Sequence, residues 1–76
     1  LVQVEVGMNK LDLHGVQHQD VDRLVENFIL MNQGELPLTI VCGNSGKMLN
    51  LVNAVIKRLD VKSTMLQYGT IKIVNL

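Results

Sequence analysis

The sequence predicts one α/β domain: a two-layer sandwich in which two helices cover a mixed sheet of about four strands, in the order βαβαββ, with an extra N-terminal strand as an option. Three observations lead there. The chain has 76 residues, which leaves no room for a second core. Hydrophobic residues make up 47% of it, and the core they build must be aliphatic, because Phe28 and Tyr68 are the only aromatics. Two apolar stripes at helical spacing are interleaved with short runs of strand character. A chain this short buries only about 60% of the surface its unfolded form exposes, so the core has to be efficient. At this hydrophobicity and zero net charge, disorder is not expected.

Taken in order, Val2-Gln3-Val4-Glu5-Val6 alternates apolar and polar with period two, the pattern of a half-buried strand. Gly7-Met8-Asn9 breaks the run, Lys10-Leu11-Asp12-Leu13 resumes it, and Gly15 ends it. Leu11 and Leu13 share one face of that second run, while Asp12 and His14 share the other. Val21, Leu24, Val25, Phe28 and Met31 follow one helical face. Asp20 and Asp22 stand in its first turn, where the helix dipole favours negative charge. Gly34 and Pro37 stop it, which gives a helix over about 19–32.

Leu38-Thr39-Ile40-Val41-Cys42 is short, β-branched and apolar, as a central strand would be. A turn at Gly43-Asn44-Ser45-Gly46 leads into a second stripe of Met48, Leu49, Val52, Val55, Ile56 and Leu59, with Ser45 or Asn44 available as its cap. Asp60 to Ser63 end it. Residues 64–67 and 70–74 read as two final strands around Tyr68-Gly69, close enough to form a hairpin. Two strand-helix-strand units imply parallel pairing through right-handed crossovers, and the hairpin makes the sheet mixed. Met31, Met48 and Met65 are expected in the core.

Net neutrality argues against an indiscriminate polyanion binder, but the charge is unevenly spread. Residues 1–45 carry a net −4 and residues 46–76 a net +4, the latter from Lys47, Lys57, Arg58, Lys62 and Lys72 against Asp60. This is consistent with a solvated surface whose halves attract each other, and with a local basic face. No apolar run reaches the roughly 18 residues of a membrane span, and no signal-peptide pattern is present. A single cysteine, Cys42, excludes an internal disulfide and a multi-cysteine zinc site. A cytoplasmic location without membrane contact is the expectation. The chain opens on Leu1 rather than Met, as a piece of something longer would.

Leu11-Asp12-Leu13-His14-Gly15 is the feature that carries most chemistry. It sets a polar pair at the C-terminal end of a strand that feeds a helix, the edge where ligands bind in open α/β sheets. A histidine there can act as general acid or base near neutral pH, and a neighbouring carboxylate can orient it. The plain alternative is that Asp12 and His14 satisfy backbone groups at a strand end. Gly43 to Lys47, small residues opening a helix, could cradle a phosphate on backbone amides, with Lys47 adding charge. A nucleotide P-loop is rejected, since Val41 and Met48 stand where that motif needs Gly and Ser or Thr. His14 and His18 are four apart, but Gly15 between them argues against one helix binding a metal, and His18 is expected in the loop before the first helix. Cys42 is expected as a small apolar filler rather than a nucleophile. Tyr68 could stack on a base, but without an aromatic cluster it is expected to pack on the sheet edge.

The pentapeptide at 11–15, followed by an amphipathic helix, resembles the signature of the Smr (small MutS-related) domain. Ile40 to Lys47 resembles that family's strand and Thr-Gly-x-Gly loop, in degenerate form: Cys42 stands for the Thr and Ser45 for the second Gly. Gly69-Thr70-Ile71-Lys72-Ile73 resembles the closing element, so the likeness covers about residues 10–76. The resemblance implies a sandwich like the C-terminal domain of bacterial translation initiation factor three. It also implies nucleic-acid binding, with cleavage of DNA or RNA in several members through the Asp and His matching Asp12 and His14. The expected site is therefore Asp12 and His14 as catalytic pair, with Gly15, Gly43, Asn44, Ser45, Gly46 and Lys47 holding phosphate. Expected partners are RNA, slightly favoured, or DNA, in the setting of a larger parent protein or ribosome-associated machinery. No cofactor is required, although Asp12 could hold Mg²⁺ as part of a thin ligand set. Binding without cutting, and a protein-interaction adaptor, stay open as alternatives.

Overall fold

The computed structural model describes residues 9–75 and the backbone of Glu5 and Val6. Of the expected first strand, residues 2–4 lie outside the described residues. The elements run β1 (Glu5–Val6), β2 (Lys10–Asp12), α1 (His18–Met31), a 3-10 turn (Gln33–Glu35), β3 (Leu38–Val41), α2 (Gly46–Leu59), β4 (Lys62–Gln67) and β5 (Thr70–Asn75). Five strands form one mixed sheet in the order β1-β2-β3-β5-β4. The short β1 adds antiparallel to β2, and β2 runs parallel to β3 with Leu11 opposite Ile40. This is the α/β sandwich that the residue pattern predicts.

The second strand-helix-strand unit departs from expectation. β3 and β4 run in the same direction but are not neighbours, because β5 folds back between them, antiparallel to both. Side-chain chemistry explains the insertion. β5 offers Ile71 and Ile73, 2% and 0% exposed, to the covered middle of the sheet. The residues of β4, Lys-Ser-Thr-Met-Leu-Gln, are all exposed, so this strand is suited to the edge.

A single apolar cluster joins the layers. Leu11, Leu13, Leu38, Ile40, Ile71 and Ile73 come from the sheet side, Val21, Val25, Phe28 and Ile29 from α1, and Met48, Leu49, Val52, Val55 and Ile56 from α2. Met48 is buried as expected, but Met31 is 82% and Met65 46% exposed. Met31 is the last residue of α1, where Phe28 and Ile29 already fill the core positions, and Met65 belongs to the exposed edge strand. Gly34 does not cap α1. That helix ends at Asn32, whose side-chain amide donates to the Phe28 carbonyl at 2.8 Å, and Gly34 lies in the 3-10 turn. α2 starts on Ser45, whose Oγ accepts the Met48 N–H at 3.1 Å, and ends on Asp60 in the left-handed region at φ 56.

The opposed charges of the two halves meet across the helices. Arg58 of α2 donates to both carboxylate oxygens of Asp22 at 2.8 and 3.1 Å, and also to Glu26. The forked geometry suits guanidinium recognition, although exposed pairs of this kind contribute only about 0.2–1 kcal/mol each. No helix among the described residues is long and apolar enough to cross a membrane.

Stability should therefore follow the sheet's midline rather than the methionines. Ile40→Ala, at a fully buried central position, is expected to cost about 2–5 kcal/mol in urea unfolding. Met31→Ala is expected to stay within about 0.5 kcal/mol of the parent; a comparable loss from both would contradict this core.

Candidate functional site

Three connections converge on one edge of the sheet. β2 and β3 are parallel, so the turn after Asp12 and the loop after Val41 leave on the same side. Val41 is also paired with Thr70 of the antiparallel β5, which brings the Tyr68-Gly69 turn to that edge. Backbone hydrogen bonds tie the three together: Leu13 N–H donates to Val41 O at 2.9 Å, and Cys42 N–H to Gly69 O at 2.6 Å.

The polar pair stands where the strand alternation sets it. Leu11 and Leu13 are buried, Asp12 is half-buried, and the His14 side chain is 66% exposed. Asp12 Oδ1 accepts twice from His14: from the backbone N–H at 2.9 Å and from ring Nδ1 at 2.6 Å. The first bond closes a side-chain turn of the kind that aspartate favours at strand ends. The second fixes the tautomer. A carboxylate can only accept, so Nδ1 carries the proton and Nε2 keeps its lone pair while the ring is neutral. One oxygen atom of Asp12 thus serves both the backbone amide and the ring of His14. The Asp12 carboxyl is held below its ordinary value, first by the His14 amide, against the opposing effect of burial, and then by the ring bond and the charges of His14 and Lys10.

The seat of the imidazole is glycine. A Cβ on Gly43 would stand 2.9 Å from His14 Nε2, and Gly43 has φ 74. A Cβ on Gly69, at φ 84, would stand 2.0 Å from the Gly43 carbonyl oxygen, so only glycine lets these two backbones approach. Beyond them, a Cβ on Gly46 would lie 3.5 Å from the Tyr68 hydroxyl. His14 is therefore bonded to Asp12 and lies close against the Cα of Gly43.

Among the remaining predicted site residues, Gly15 (φ 79) forms the turn that follows His14. Ser45 serves α2 as its cap, which leaves the Gly46 and Lys47 amides as the first-turn donors with no partner inside the helix. Asn44 and Lys47 are exposed on the flanking loop and helix start, and neither bonds to Asp12 or His14. Gly69 and Tyr68 belong to this edge too; the sequence offers Gly69 through the resemblance to the Smr closing element and Tyr68 as a ring able to stack on a base, but neither as a neighbour of His14. His18 opens α1 rather than lying in the preceding loop. Cys42 is buried, and burial pushes its thiol up to about 11, consistent with an inert filler. Among the described residues no three His, Cys, Asp or Glu side chains gather in one place. Asp12 would offer a metal one carboxylate, of which Oδ1 is already engaged.

Comparison with protein-family models, with curated proteins and with solved structures finds no match.

Gly43→Ala should force the imidazole away and place a methyl in the left-handed region, at about 1–2 kcal/mol, with altered His14 ring resonances in NMR. Gly69→Ala should cost more, because its methyl meets backbone rather than the movable end of a side chain; equal losses would contradict the contact. For Asp12 the pH dependence follows from its lowered pKa. Its stabilisation is present above the ordinary aspartate value of 3.8 and is lost as pH falls through the lower folded value. The parent should thus lose stability relative to Asp12→Asn on acidification below pH 4, read by denaturant melts across pH. Parallel curves would show that the carboxylate is not stabilised by folding.

Proposed function

We propose that this chain is a nucleic-acid-binding domain of the Smr type that cuts RNA at the Asp12–His14 pair. The observation that carries the reading is the 2.6 Å bond from His14 Nδ1 to Asp12, which gives the lone pair of the neutral ring to Nε2, at the edge where the parallel strands end. In the reaction, Nε2 takes the proton of a ribose 2′-hydroxyl, and that oxygen attacks the adjacent phosphorus. The O2′–P bond forms, the P–O5′ bond breaks, and the leaving 5′-oxygen takes a proton from water. Asp12 holds the ring in the required tautomer and stabilises the imidazolium, which then releases its proton to solvent. The Gly46 and Lys47 amides and the Lys47 ammonium stabilise the added negative charge on the phosphorane. No step needs a metal ion, and DNA, without the 2′-hydroxyl, binds but is not cut by this route. A larger parent protein, ribosome-associated machinery and the cytoplasm are the setting that goes with this reading.

Binding without cleavage is the second reading, favoured by the 66% exposure of the His14 side chain. The loop at Cys42 and Ser45 also departs from the Smr pattern.

Labelled RNA and DNA incubated with the chain, with Mg²⁺ or with chelator, separate the readings. RNA cleavage is expected in both buffers, reduced about 10²- to 10⁴-fold in His14→Ala and reduced also in Asp12→Ala. Salt-sensitive binding with no product would select the second reading, and no affinity for any oligonucleotide at low salt would reject both in favour of a protein adaptor. Lys47→Glu is expected to weaken binding to RNA and DNA alike; unchanged affinity would remove the α2 start from the phosphate site.

A further inference from the structure

Tyr68 is not packed on the sheet edge as its sequence context suggests. It is 60% exposed, and since Phe28 is buried and the chain has no tryptophan, it is the one aromatic ring presented to solvent. The adjoining Gly69 is held by the 2.6 Å bond from Cys42 N–H and by its contact with Gly43. The Tyr68 hydroxyl lies beside Gly46 at the start of α2, so the ring leans along that helix end and not over the core. Gly43, which Gly69 touches, is also the seat of His14 Nε2. The exposed Tyr68 ring and the His14 imidazole thus stand on the same edge, joined through the Gly43–Gly69 contact.

We infer that Tyr68 is a base-stacking platform and that this edge takes single-stranded nucleic acid, with a base next to the phosphate at His14 lying on the Tyr68 ring. The inference rests on the nucleic-acid reading above and deepens it by naming the form of the substrate. An exposed aromatic can take any base by its flat face. In a duplex both faces of each base are already stacked, so the ring could be used only by unpairing the strand. The low aromatic content fits a single stacking point that adds to phosphate contacts, not an extended sequence-reading surface.

The test compares a fluorescein-labelled oligo-thymidylate, an abasic strand of the same length and a duplex of the same length, titrated at low salt with the parent chain, Tyr68→Phe and Tyr68→Ala. The parent is expected to bind the oligo-thymidylate more tightly than the duplex. Tyr68→Ala should weaken that binding about tenfold, the order expected for one stacked base, and leave the abasic strand unchanged, while Tyr68→Phe keeps the parent affinity. The chain contains one tyrosine, so its ring resonances report directly: they should shift upfield with the oligo-thymidylate and not with the abasic strand. Equal affinity of Tyr68→Ala and parent for the oligo-thymidylate, or an equal loss on the abasic strand, overturns the stacking role and leaves the nucleic-acid reading standing. No binding of any strand by the parent overturns both.

Discussion

The meeting of two backbones at Gly43 and Gly69 is the contact on which the edge around His14 depends. It forms where the loop leaving β3 passes under the turn that enters β5, at a distance no Cβ would allow. The Cys42 N–H to Gly69 O bond beside it, 2.6 Å long, extends the β3–β5 pairing past the last ladder residues and locks the turn to the loop. Two consequences follow. β5 stays paired with β3 up to this end of the sheet, with Ile71 and Ile73 under the helices. The carbonyl side of Gly43 is fixed, so its other side becomes a flat seat for His14. Core packing and site geometry share one pair of glycines.

Asp12 is the second economy of the site. A carboxylate at a strand end usually either closes a local turn or waits for a ligand. Here Oδ1 accepts the His14 amide and the His14 ring together. The amide bond ties the carboxylate to the backbone, and the ring inherits that rigidity. An imidazole two-thirds exposed to water would otherwise sample several rotamers; orientation by a backbone-anchored acceptor keeps Nε2 turned toward Gly43. This is preorganisation with two residues and one oxygen, consistent with a domain too small for an elaborate supporting shell.

What the sequence made legible is what local periodicity encodes. Leu11 and Leu13 inward with Asp12 and His14 outward follows from the two-residue repeat of a strand. Both helices follow from their stripes, and the Ser45 cap from its position before Met48. The misses share a different cause: they depend on partners far away in the chain. That β5 enters between β3 and β4 is decided by competition between two hairpin strands for a covered site, which no single segment expresses. Met31 continues its helical stripe, yet Phe28 and Ile29 have already filled the core at that end. That Gly69 meets Gly43 and Tyr68 lies beside Gly46, more than twenty residues earlier, is likewise invisible to any local pattern. The net −4 and +4 halves showed attraction but not its place, which Arg58 supplies by bridging Asp22 and Glu26 across the helices.

The exposure of His14 bears on how the proposed chemistry would work. A general base in open water competes with solvent for every proton, and the electrostatic help of nearby amides is weakened by the same water. The His14 side chain is 66% exposed, so on the proposed reading the substrate strand has to provide the cover. A phosphate on the α2 amides would place ribose and base across the Gly43–Gly69 contact, and a base on the Tyr68 ring would hold them there. Binding and catalysis would then be less separable than in an enzyme with a built pocket: whatever loosens the strand also readmits water to the base. On that reasoning the exposed ring and the exposed imidazole are one arrangement, in which an open edge becomes an enclosed site only when the nucleic acid lies on it.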